Sequence, residues 1–301
     1  MRIPAFGILS RLARKINLVA HCELALGSKL SYLFNVAIGS FLPGTMTMCR
    51  ESMCREYKMR DDTSVVLRSN STDTKVFEEI FLDKTYSSHV KAVEQEAPII
   101  LIDLGANIGL SVIALARALR PLAMVAVEPD GGNFAMLQEN LRLAKLADRC
   151  ATVQAFAGVE RGFAELVDSG NGEWGMRMGA SALGGIAVWP IEDIVSMAES
   201  MAGQVDLERS RAAITVVKCD IEGAEAPLFR RLREWEDGVH YVILELHTEF
   251  LSVRDFHACL GASRYHWQID GTISPDAVLA VIGLKRLRRK AAAPIEQAAG
   301  A

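Results

Sequence analysis

The sequence predicts an α/β protein built on a Rossmann-like, mostly parallel sheet with helices on both faces. From residue 98 onward, apolar runs alternate with segments of helical spacing, and this alternation demands a parallel sheet with right-handed crossovers. Residues 99–104 form a continuous apolar run, typical of a strand buried on both faces, and the run ends in a glycine-containing turn. The last two apolar runs, 265–269 and 277–284, are too close for a crossover helix, so we expect them to pair antiparallel.

Three regions follow in order along the chain. Residues 1–60 have mainly helical patterns with a break at Leu42-Pro43-Gly44 and form a predicted N-terminal helical extension. Residues 61–284 form the predicted α/β domain, and residues 285–301 form a basic, alanine-rich tail. Within the domain, the predicted strands are 62–68, 99–104, 123–128, 151–157, 213–219, 239–246, 265–269 and 277–284. The predicted helices are 73–86, 109–119, 132–146, 191–201, 224–235 and 253–261, and a glycine-rich insertion occupies 170–185.

The charge of the chain is unevenly distributed. Half of the 301 residues are hydrophobic and 23% are charged, which is typical of a globular protein. The formal net charge is −4, but residues 1–60 carry nine Lys/Arg against three Asp/Glu, and residues 285–301 carry five against one. The segment between them is therefore strongly acidic. Because affinity for phosphates needs clustered positive charge, we expect no nucleic-acid substrate.

The cysteines and the first 40 residues indicate the cellular location that we expect for the protein. The six cysteines form no CxxC pair, so reduced thiols and a cytoplasmic protein are expected. Residues 1–20 lack the apolar core of a signal peptide, and residues 16–42 contain too many polar and charged groups for a good transmembrane span. Two interpretations of these N-terminal helices stay open: a flap on the α/β domain, or peripheral contact with a membrane or a partner.

The glycine-containing turn has the pattern D-x-G-x-N-x-G, in which Asp103 precedes Gly105, Asn107 and Gly109. A dinucleotide fingerprint needs a middle glycine to make room for a pyrophosphate, whereas Asn107 occupies that position here and Asp103 would repel phosphate. Glu128 ends the next apolar run, at about the 20-residue spacing expected of a carboxylate that binds a ribose. A ribose-bearing cation without phosphate describes S-adenosylmethionine (SAM), so the sequence predicts a SAM pocket.

Two further strands end in ionisable residues. Asp220 and Glu222 follow one apolar run, while Glu245 and His247 lie at the end of the next. Strand ends at one edge of a parallel sheet cluster, and alternation sends Glu245 and His247 to the same side. Four ionisable groups at one rim indicate a site that handles protons or a cation.

The ionisable residues at this rim and beside it also allow purely structural interpretations. Lys218 lies inside a buried strand, where pairing with a neighbouring carboxylate is expected. Glu225, one turn into a predicted helix, would favour the positive end of that helix. His247 taken alone is more often a hydrogen-bonded structural residue than a base. Asp220 beside Glu222 is harder to explain, since adjacent carboxylates at a strand end cost stability without a use.

Several of these segments together resemble the FkbM-type SAM-dependent methyltransferases. They are DLGANIG at 103–109, Glu128-Pro129, IEDI at 191–194, KCDIEGAE at 218–225 and Glu245-Leu246-His247. The similarity covers residues 60–270, including the upstream helix with Asp73, Phe77 and Tyr86, and its specific part is the KxDxEGxE block. The resemblance implies a seven-stranded sheet, mostly parallel with an antiparallel last strand, and O-methylation of a sugar, glycan or polyketide-type molecule. Trp189-Pro190 departs from the small polar residues usual before Ile191.

A methyl transfer assigns expected roles to these residues. The amino-acid end of SAM would be held by Asp103 and the bend formed by Gly105, Ala106, Asn107 and Gly109. Glu128 would bind the ribose, and Ala157 and Gly158 would flank the adenine. Candidates for the base that takes the acceptor's proton are Asp220, Glu222, Glu245 and His247, with Asp220 and His247 favoured.

Three alternatives remain beside this assignment. The carboxylates could instead bind a divalent metal that orients two substrate hydroxyls. A non-catalytic SAM-binding or assembly protein would keep the pocket without using the rim. A nucleotide-dependent oxidoreductase would need the missing middle glycine.

Overall fold

The computed structural model describes residues 15–17, 19–20, 22, 24–41, 54–69, 71–93, 97–168, 176–180, 185–274 and 278–290. The α-helices are α1 Leu26–Phe41, α2 Asp73–Phe77, α3 Ser87–Ala92, α4 Leu110–Leu119, α5 Gly131–Leu143, α6 Ile191–Val205, α7 Leu207–Arg211, α8 Glu225–Arg230, α9 Leu232–Trp235 and α10 Val253–Ala262. The strands are β1 Cys54–Lys58, β2 Ser64–Arg68, β3 Ile99–Leu104, β4 Ala123–Val127, β5 Cys150–Val153, β6 Phe156–Gly158, β7 Gly162–Asp168, β8 Met176–Ala180, β9 Ile186–Pro190, β10 Ile214–Cys219, β11 Tyr241–His247, β12 Tyr265–Asp270 and β13 Leu279–Arg289. A π-helical turn, Glu78–Leu82, follows α2, and 3-10 turns lie at Ala147–Arg149 and Glu236–Gly238.

A seven-stranded sheet in the order β12-β13-β11-β10-β3-β4-β5 organises the molecule. Strands β5, β4, β3, β10 and β11 pair in parallel. The last strand, β13, is inserted between β11 and β12 and runs antiparallel to both. This sheet confirms the predicted fold class, including the antiparallel pairing of the last two strands. Because β3 and β10 are adjacent, the glycine bend after β3 and the turn after β10 lie side by side.

Two apolar cores cover the two faces of this sheet, and alternation along each strand divides the residues between them. In β3, Ile99 and Leu101 face the core that contains α4, whereas Ile100 and Ile102 face the core that contains α6, α8 and α10. All six residues of β3 are buried. The unbroken apolar run in the sequence reflects this double-sided burial.

The described part of the N-terminal region packs on the first of these cores. Tyr32 of α1 is buried, and its ring lies 5.7 Å from that of Tyr57 and 5.5 Å from that of Phe77. Strands β1 and β2 pair antiparallel beside it, so the region predicted to be mainly helical also contains a strand, Cys54–Lys58. The break expected at Leu42-Pro43-Gly44 lies outside the described residues.

Four further differences from the predicted elements have local causes. The strand expected at 151–157 divides into β5 and β6, because β6 leaves the main sheet to pair with β9 in a second sheet of order β6-β9-β7-β8. The helix expected at 73–86 is shorter and continues as the π-helical turn. The helix expected at 224–235 breaks at Arg231 into α8 and α9. Strand β13 continues to Arg289, so residues 285–289, predicted as tail, belong to the sheet.

None of the helices in the described ranges combines the length and apolar character that a membrane crossing requires.

Candidate functional site

The bend after β3 is held in left-handed backbone conformations. Gly105 has φ +76°, Asn107 +49° and Gly109 +86°. A side chain at Gly105 would overlap the backbone carbonyl of Asp220, so glycine is required where the two strand ends approach. At Gly109 an added Cβ would lie 2.7 Å from Leu137 Cδ1, which makes this glycine a packing requirement between α4 and α5.

The backbone N–H groups of the bend are engaged within the chain. Gly105 and Ala106 both donate to the carbonyl of Val127 at 3.0 Å, and Gly109 donates to Ala106. Asn107 N donates to Glu128 Oε2 at 2.8 Å, and Ile108 N donates to the Asn107 side chain at 2.7 Å. The turn therefore does not present a nest of N–H donors to a phosphate.

Glu128, at the end of β4, ties the bend to the start of α5. Its second oxygen, Oε1, accepts from Asp130 N at 2.9 Å. Burial raises the pKa of Glu128 to about 7, against the opposing effect of its hydrogen bonds from Asp130 and Asn107. Each carboxylate oxygen has two lone pairs, so Glu128 can accept further bonds from a ligand.

Asp103 lies beneath the bend in a fully buried ion pair. Its Oδ2 accepts from Ser111 Oγ at 2.6 Å, and its Oδ1 lies 3.3 Å from Lys218 Nζ. Lys218 also donates to Gly105 O at 2.8 Å and lies 3.4 Å from Asp220 Oδ2. Burial alone would lower the pKa of Lys218, but the charges of Asp103 and Asp220 raise it above its ordinary value. The ammonium thus remains charged and links the two strand ends.

The turn after β10 is tight and strained. Glu222 has φ +51°, a left-handed conformation that costs free energy for a residue other than glycine. Gly223 follows with φ +100°, and the ring of Phe250 covers it so closely that a Cβ would lie 2.6 Å from Cδ2. Glu225 stabilises this turn, because Ile221 N and Gly223 N donate to its two carboxylate oxygens at 3.1 and 2.7 Å.

His247, the last residue of β11, lies among carboxylates. Its Nδ1 is 3.0 Å from Glu225 Oε1, and its Nε2 is 3.4 Å from Glu222 Oε2. Burial alone would lower the pKa of His247, but the hydrogen bond and charge of Glu225, with the charges of Asp220 and Glu222, raise it to about 9. At neutral pH the ring is therefore an imidazolium whose orientation Glu225 fixes.

Glu245, two residues earlier on β11, shares a buried hydrogen bond with a residue distant in sequence. Tyr86 Oη donates to Glu245 Oε1 at 2.5 Å. Burial and the nearby charge of Asp220 raise the pKa of Glu245 to about 8. Burial also raises the pKa of Glu79, on the π-helical turn facing the same space. Glu245 consequently titrates near pH 8.

Two adjoining cavities open between these elements. Cavity A is lined by Gly105, Asn107, Val127, Glu128, Pro129, Asn133, Ala155, Phe156, Ala157, Asp220, Ile221, Glu222 and Ala224. Cavity B is lined by Val76, Glu79, Ile80, Tyr86, Gly105, Ala106, Asn107, Ser111, Lys218, Asp220, Glu222, Glu245, His247, Glu249, Val278 and Leu279. The two linings share Gly105, Asn107, Asp220 and Glu222, so the cavities meet at the paired ends of β3 and β10.

Most residues predicted for the site line one of the two cavities. The lining residues include Gly105, Ala106, Asn107, Glu128, Ala157, Asp220, Glu222, Glu245 and His247. Three predicted residues lie elsewhere. Asp103 is buried behind Lys218 and Ser111, Gly109 packs against α5, and Gly158 packs so tightly on β9 that a Cβ would lie 2.5 Å from Val188 Cγ1.

Sequence reasoning missed part of the site. Tyr86 and Glu79 come from the segment before the sheet, and nothing in their local sequence indicates that they reach the end of β11. Glu225 was expected to favour a helix end, but it also orients His247. One local signal could have predicted the contact between Asp103 and Ser111. Asp103 lies at the end of a strand, and Ser111, eight residues later, is the second residue of the following helix.

One group in the described part of the chain has donor atoms close enough for a metal ion. Ligand atoms of Asp220, Glu225 and His247 lie within 4.8 Å of one another. Both oxygens of Glu225 already accept backbone N–H groups, and His247 Nδ1 faces one of them. This donor set is better organised to hold a proton on His247 than to surround a cation.

Comparison with known proteins finds similarity of structure alone. No family model matches the chain, and no curated protein matches it. A solved protein of the NADB-Rossmann superfamily from Streptococcus agalactiae is 12% identical, with coverage of 69% of this chain and 70% of that one and a TM-score of 0.38. TYW2 of M. jannaschii, solved with AdoMet, is 12% identical, with coverage of 80% and 88% and a TM-score of 0.38. A human methyltransferase 10 domain-containing protein is 12% identical, with coverage of 67% and 79% and a TM-score of 0.38. Similarity at this level assigns neither a family nor an activity.

Proposed function

We propose that this protein is a SAM-dependent methyltransferase that methylates a hydroxyl group. The observation that carries the proposal is the shared wall of cavities A and B. One cavity contains a buried carboxylate suited to a ribose, and the other contains groups that bind and release protons. A reactive atom held in cavity A and an acceptor held in cavity B would meet beside Gly105 and Asp220.

The residues of cavity A fit SAM in charge and polarity. Glu128 offers lone pairs to ribose hydroxyls, and Phe156 and Ala157 offer an apolar wall for an adenine. The lining contains carboxylates and two side-chain amides but, among the described residues, no Lys or Arg. Hydrogen-bond acceptors around Gly105 suit the positively charged ammonium and sulfonium groups of SAM. When bound, SAM supplies an electrophilic methyl group for in-line displacement.

The same lining argues against a dinucleotide. A pyrophosphate needs free N–H donors and positive charge, whereas the N–H groups of the bend donate within the chain. Asp220, Glu222 and Glu128 would repel its negative charge. A nucleotide-dependent oxidoreductase is therefore disfavoured for a second reason, independent of the missing glycine.

We assign Asp220 as the base that accepts the proton of the acceptor hydroxyl. Asp220 is partly exposed and lines both cavities, so its carboxylate lies where the acceptor must approach the donor. His247 and Glu245, with pKa values near 9 and 8, both hold a proton at neutral pH. Positioned proton transfer of this kind contributes about 10²–10⁴-fold to a rate.

The acceptor is proposed to be a sugar, a glycan or a polyketide-type molecule with neighbouring hydroxyls. Cavity B combines apolar side chains such as Ile80 and Leu279 with hydrogen-bonding groups such as Glu79 and Tyr86. Such a surface suits the faces and hydroxyls of a neutral, polyhydroxylated molecule. Its carboxylates disfavour a phosphate-rich acceptor.

Calorimetry and product analysis test this function. The protein should bind SAM and S-adenosylhomocysteine but not NAD, and it should transfer a radiolabelled methyl group to a member of a glycan and polyketide panel. The Asp220→Asn variant should lose about 10²-fold or more in kcat and keep cofactor affinity within a few-fold. Asp148→Asn, on an exposed 3-10 turn and in the lining of neither cavity, is the matched control and should keep kcat.

Each other outcome of this experiment has a definite meaning. Failure to bind SAM at millimolar concentration would refute the function. Binding without product on the panel would favour the non-catalytic SAM-binding alternative. Full activity of Asp220→Asn would refute the assigned base. Loss of activity with a chelator, restored by Mg²⁺, would assign Asp220, Glu225 and His247 to a metal.

A further inference from the structure

One face of α1 exposes large apolar side chains to solvent. Leu26 is 75% exposed, Leu30 63% and Phe34 64%. Their four-residue spacing places them along one side of the helix, and the sequence continues this spacing with Ile38. Apolar surface gathered in a stripe, unlike single exposed side chains, is a feature of docking surfaces.

The opposite face fixes α1 to the rest of the molecule. Tyr32 is buried among aromatic rings, and its hydroxyl donates to Glu78 Oε1 at 2.7 Å. Ser28 Oγ accepts from Lys58 N at 2.8 Å, which ties the start of the helix to β1. The exposed stripe is thus the outer surface of an anchored helix and has a fixed orientation.

The charge of the surrounding sequence identifies what this surface would meet. Residues 1–60 carry nine basic and three acidic residues, whereas the rest of the chain up to residue 284 is strongly acidic. Helix α1 contains no acidic residue, and its one lysine, Lys29, is buried and donates to Ala20 O, so the positive charge comes from the sequence on either side of the helix. An apolar helix stripe within a basic stretch of sequence is typical of peripheral binding to anionic lipid.

We propose that the stripe formed by Leu26, Leu30 and Phe34 docks this protein onto the surface of an anionic lipid bilayer. A second copy of the chain fits less well, because pairing two identical stripes would bring two basic N-terminal regions together. The stripe is also a single helix face, which is small for a stable protein interface.

Helix α1 is connected to the lining of cavity B through one short element. Glu78, which contacts α1 through Tyr32, and Glu79, which lines cavity B, are consecutive residues of the same π-helical turn. The element that receives the membrane-binding helix is therefore the element that borders the acceptor cavity.

Vesicle sedimentation tests the proposal without the methyl donor, so its result is independent of the proposed activity. The full chain is mixed with phosphatidylcholine vesicles and with vesicles that also contain phosphatidylglycerol, at low and high salt. We expect sedimentation with the anionic vesicles, weakened by salt. Leu30→Asp with Phe34→Asp should reduce the bound fraction about fivefold or more. Leu207→Asp, at an apolar residue 57% exposed on α7, should leave binding unchanged.

Three results would overturn the proposal. One is wild-type protein that stays in the supernatant with anionic vesicles, as it would if another part of this chain covered the stripe. Another is equal binding of the double variant, whose folding is checked by its circular dichroism and thermal midpoint. The third is a dimer in light scattering that the double variant abolishes, which would assign the stripe to a second copy.

Discussion

At the scale of single residues, His247 owes its charge to Glu225. Burial alone would lower the pKa of this imidazole, and the Glu225 carboxylate 3.0 Å away overcomes that effect. We therefore expect Glu225→Gln to lower the pKa of His247 by roughly one unit or more, since the substitution removes the charge and leaves the burial. An NMR titration of the imidazole resonances in both proteins measures this change.

A matched variant distinguishes the loss of the Glu225 contact from a general change in the charge of cavity B. Glu249 also lines cavity B, but the largest effects that raise the pKa of His247 come from Glu225, Asp220 and Glu222. Glu249→Gln should leave the His247 titration near pH 9. If Glu225→Gln leaves it there as well, Glu225 does not orient and charge the ring as the structure indicates.

The ammonium of Lys218 is the second group on which the site depends. It compensates Asp103, whose carboxylate is fully buried, so Lys218→Met would leave an unpaired buried charge. Removing one partner of such a pair costs on the order of 3–5 kcal/mol in the free energy of unfolding. Urea unfolding should show this loss, and adding Asp103→Asn should restore part of it.

An exposed ion pair provides the control for this substitution. Lys58 lies 2.8 Å from Asp62 on the surface, where salt and water screen the interaction. Lys58→Met should cause no measurable change in unfolding. A Lys218→Met protein as stable as the wild type would show that Asp103 is neutral in the folded state.

The residues of the site were predictable where a strand end fixes them. Asp220, Glu245 and His247 reach the rim because parallel strands end at one edge, and the pairing of Lys218 follows from its place inside a buried strand. Tyr86 could not be placed in this way, because its contact with Glu245 depends on tertiary packing between segments 159 positions apart. The position of Asp103 behind Lys218, in the lining of neither cavity, was likewise decided by packing.

At the scale of elements, the turn between β3 and α4 is the part of the site least able to change. Gly105 has a left-handed backbone, and a Cβ there would overlap the carbonyl of Asp220. Gly105→Ala should therefore destabilise the protein by about 3 kcal/mol and abolish measurable binding of S-adenosylhomocysteine. Urea unfolding and calorimetry measure the two effects.

The matched control is a glycine with open space around it. Nothing lies within 4 Å of a Cβ added at Gly162, at the start of β7. Gly162→Ala should change stability by less than about 0.5 kcal/mol and leave ligand binding intact. Normal ligand binding by Gly105→Ala would show that the bend does not border the cofactor site.

Strands and helices were predictable where one hydrophobic period dominates the sequence. They were less predictable where a strand pairs with a partner that is distant in the sequence. The apolar runs of β3 and β4 define their strands because both faces are buried. The run at 151–157 is also mainly apolar, but β6 pairs with β9, some 30 residues later, so one predicted strand becomes two. Local propensity carries no information about that distant partner.

At the scale of the whole molecule, the sequence predicts the topology of the sheet better than it predicts where α1 packs. Alternation of strands and helices demands the parallel sheet, and the short connection between β12 and β13 demands an antiparallel end. The position of α1 has no comparable rule. Its buried Tyr32 joins the core on the α4 face of the sheet, so α1 is part of the same packing unit.

This shared core has a consequence for cooperative unfolding. Tyr32 is 1% exposed and packs on Tyr57 and Phe77, so Tyr32→Ala should cost about 3–5 kcal/mol. All four tryptophans lie after residue 170, far along the chain from α1. If the N-terminal region unfolds together with the sheet, tryptophan fluorescence should report the full loss in one transition, at the same urea concentration as circular dichroism.

Two further variants show which part of Tyr32 and which face of α1 account for the loss of stability in Tyr32→Ala. Tyr32→Phe removes only the hydroxyl bonded to Glu78 and should cost about 1 kcal/mol. Leu26→Ala, on the exposed face of the same helix, should leave the midpoint unchanged. An unchanged tryptophan transition in Tyr32→Ala, with an early separate transition in circular dichroism, would show instead that the N-terminal region unfolds independently. In that case α1 could not hold cavity B in a fixed position relative to a lipid surface.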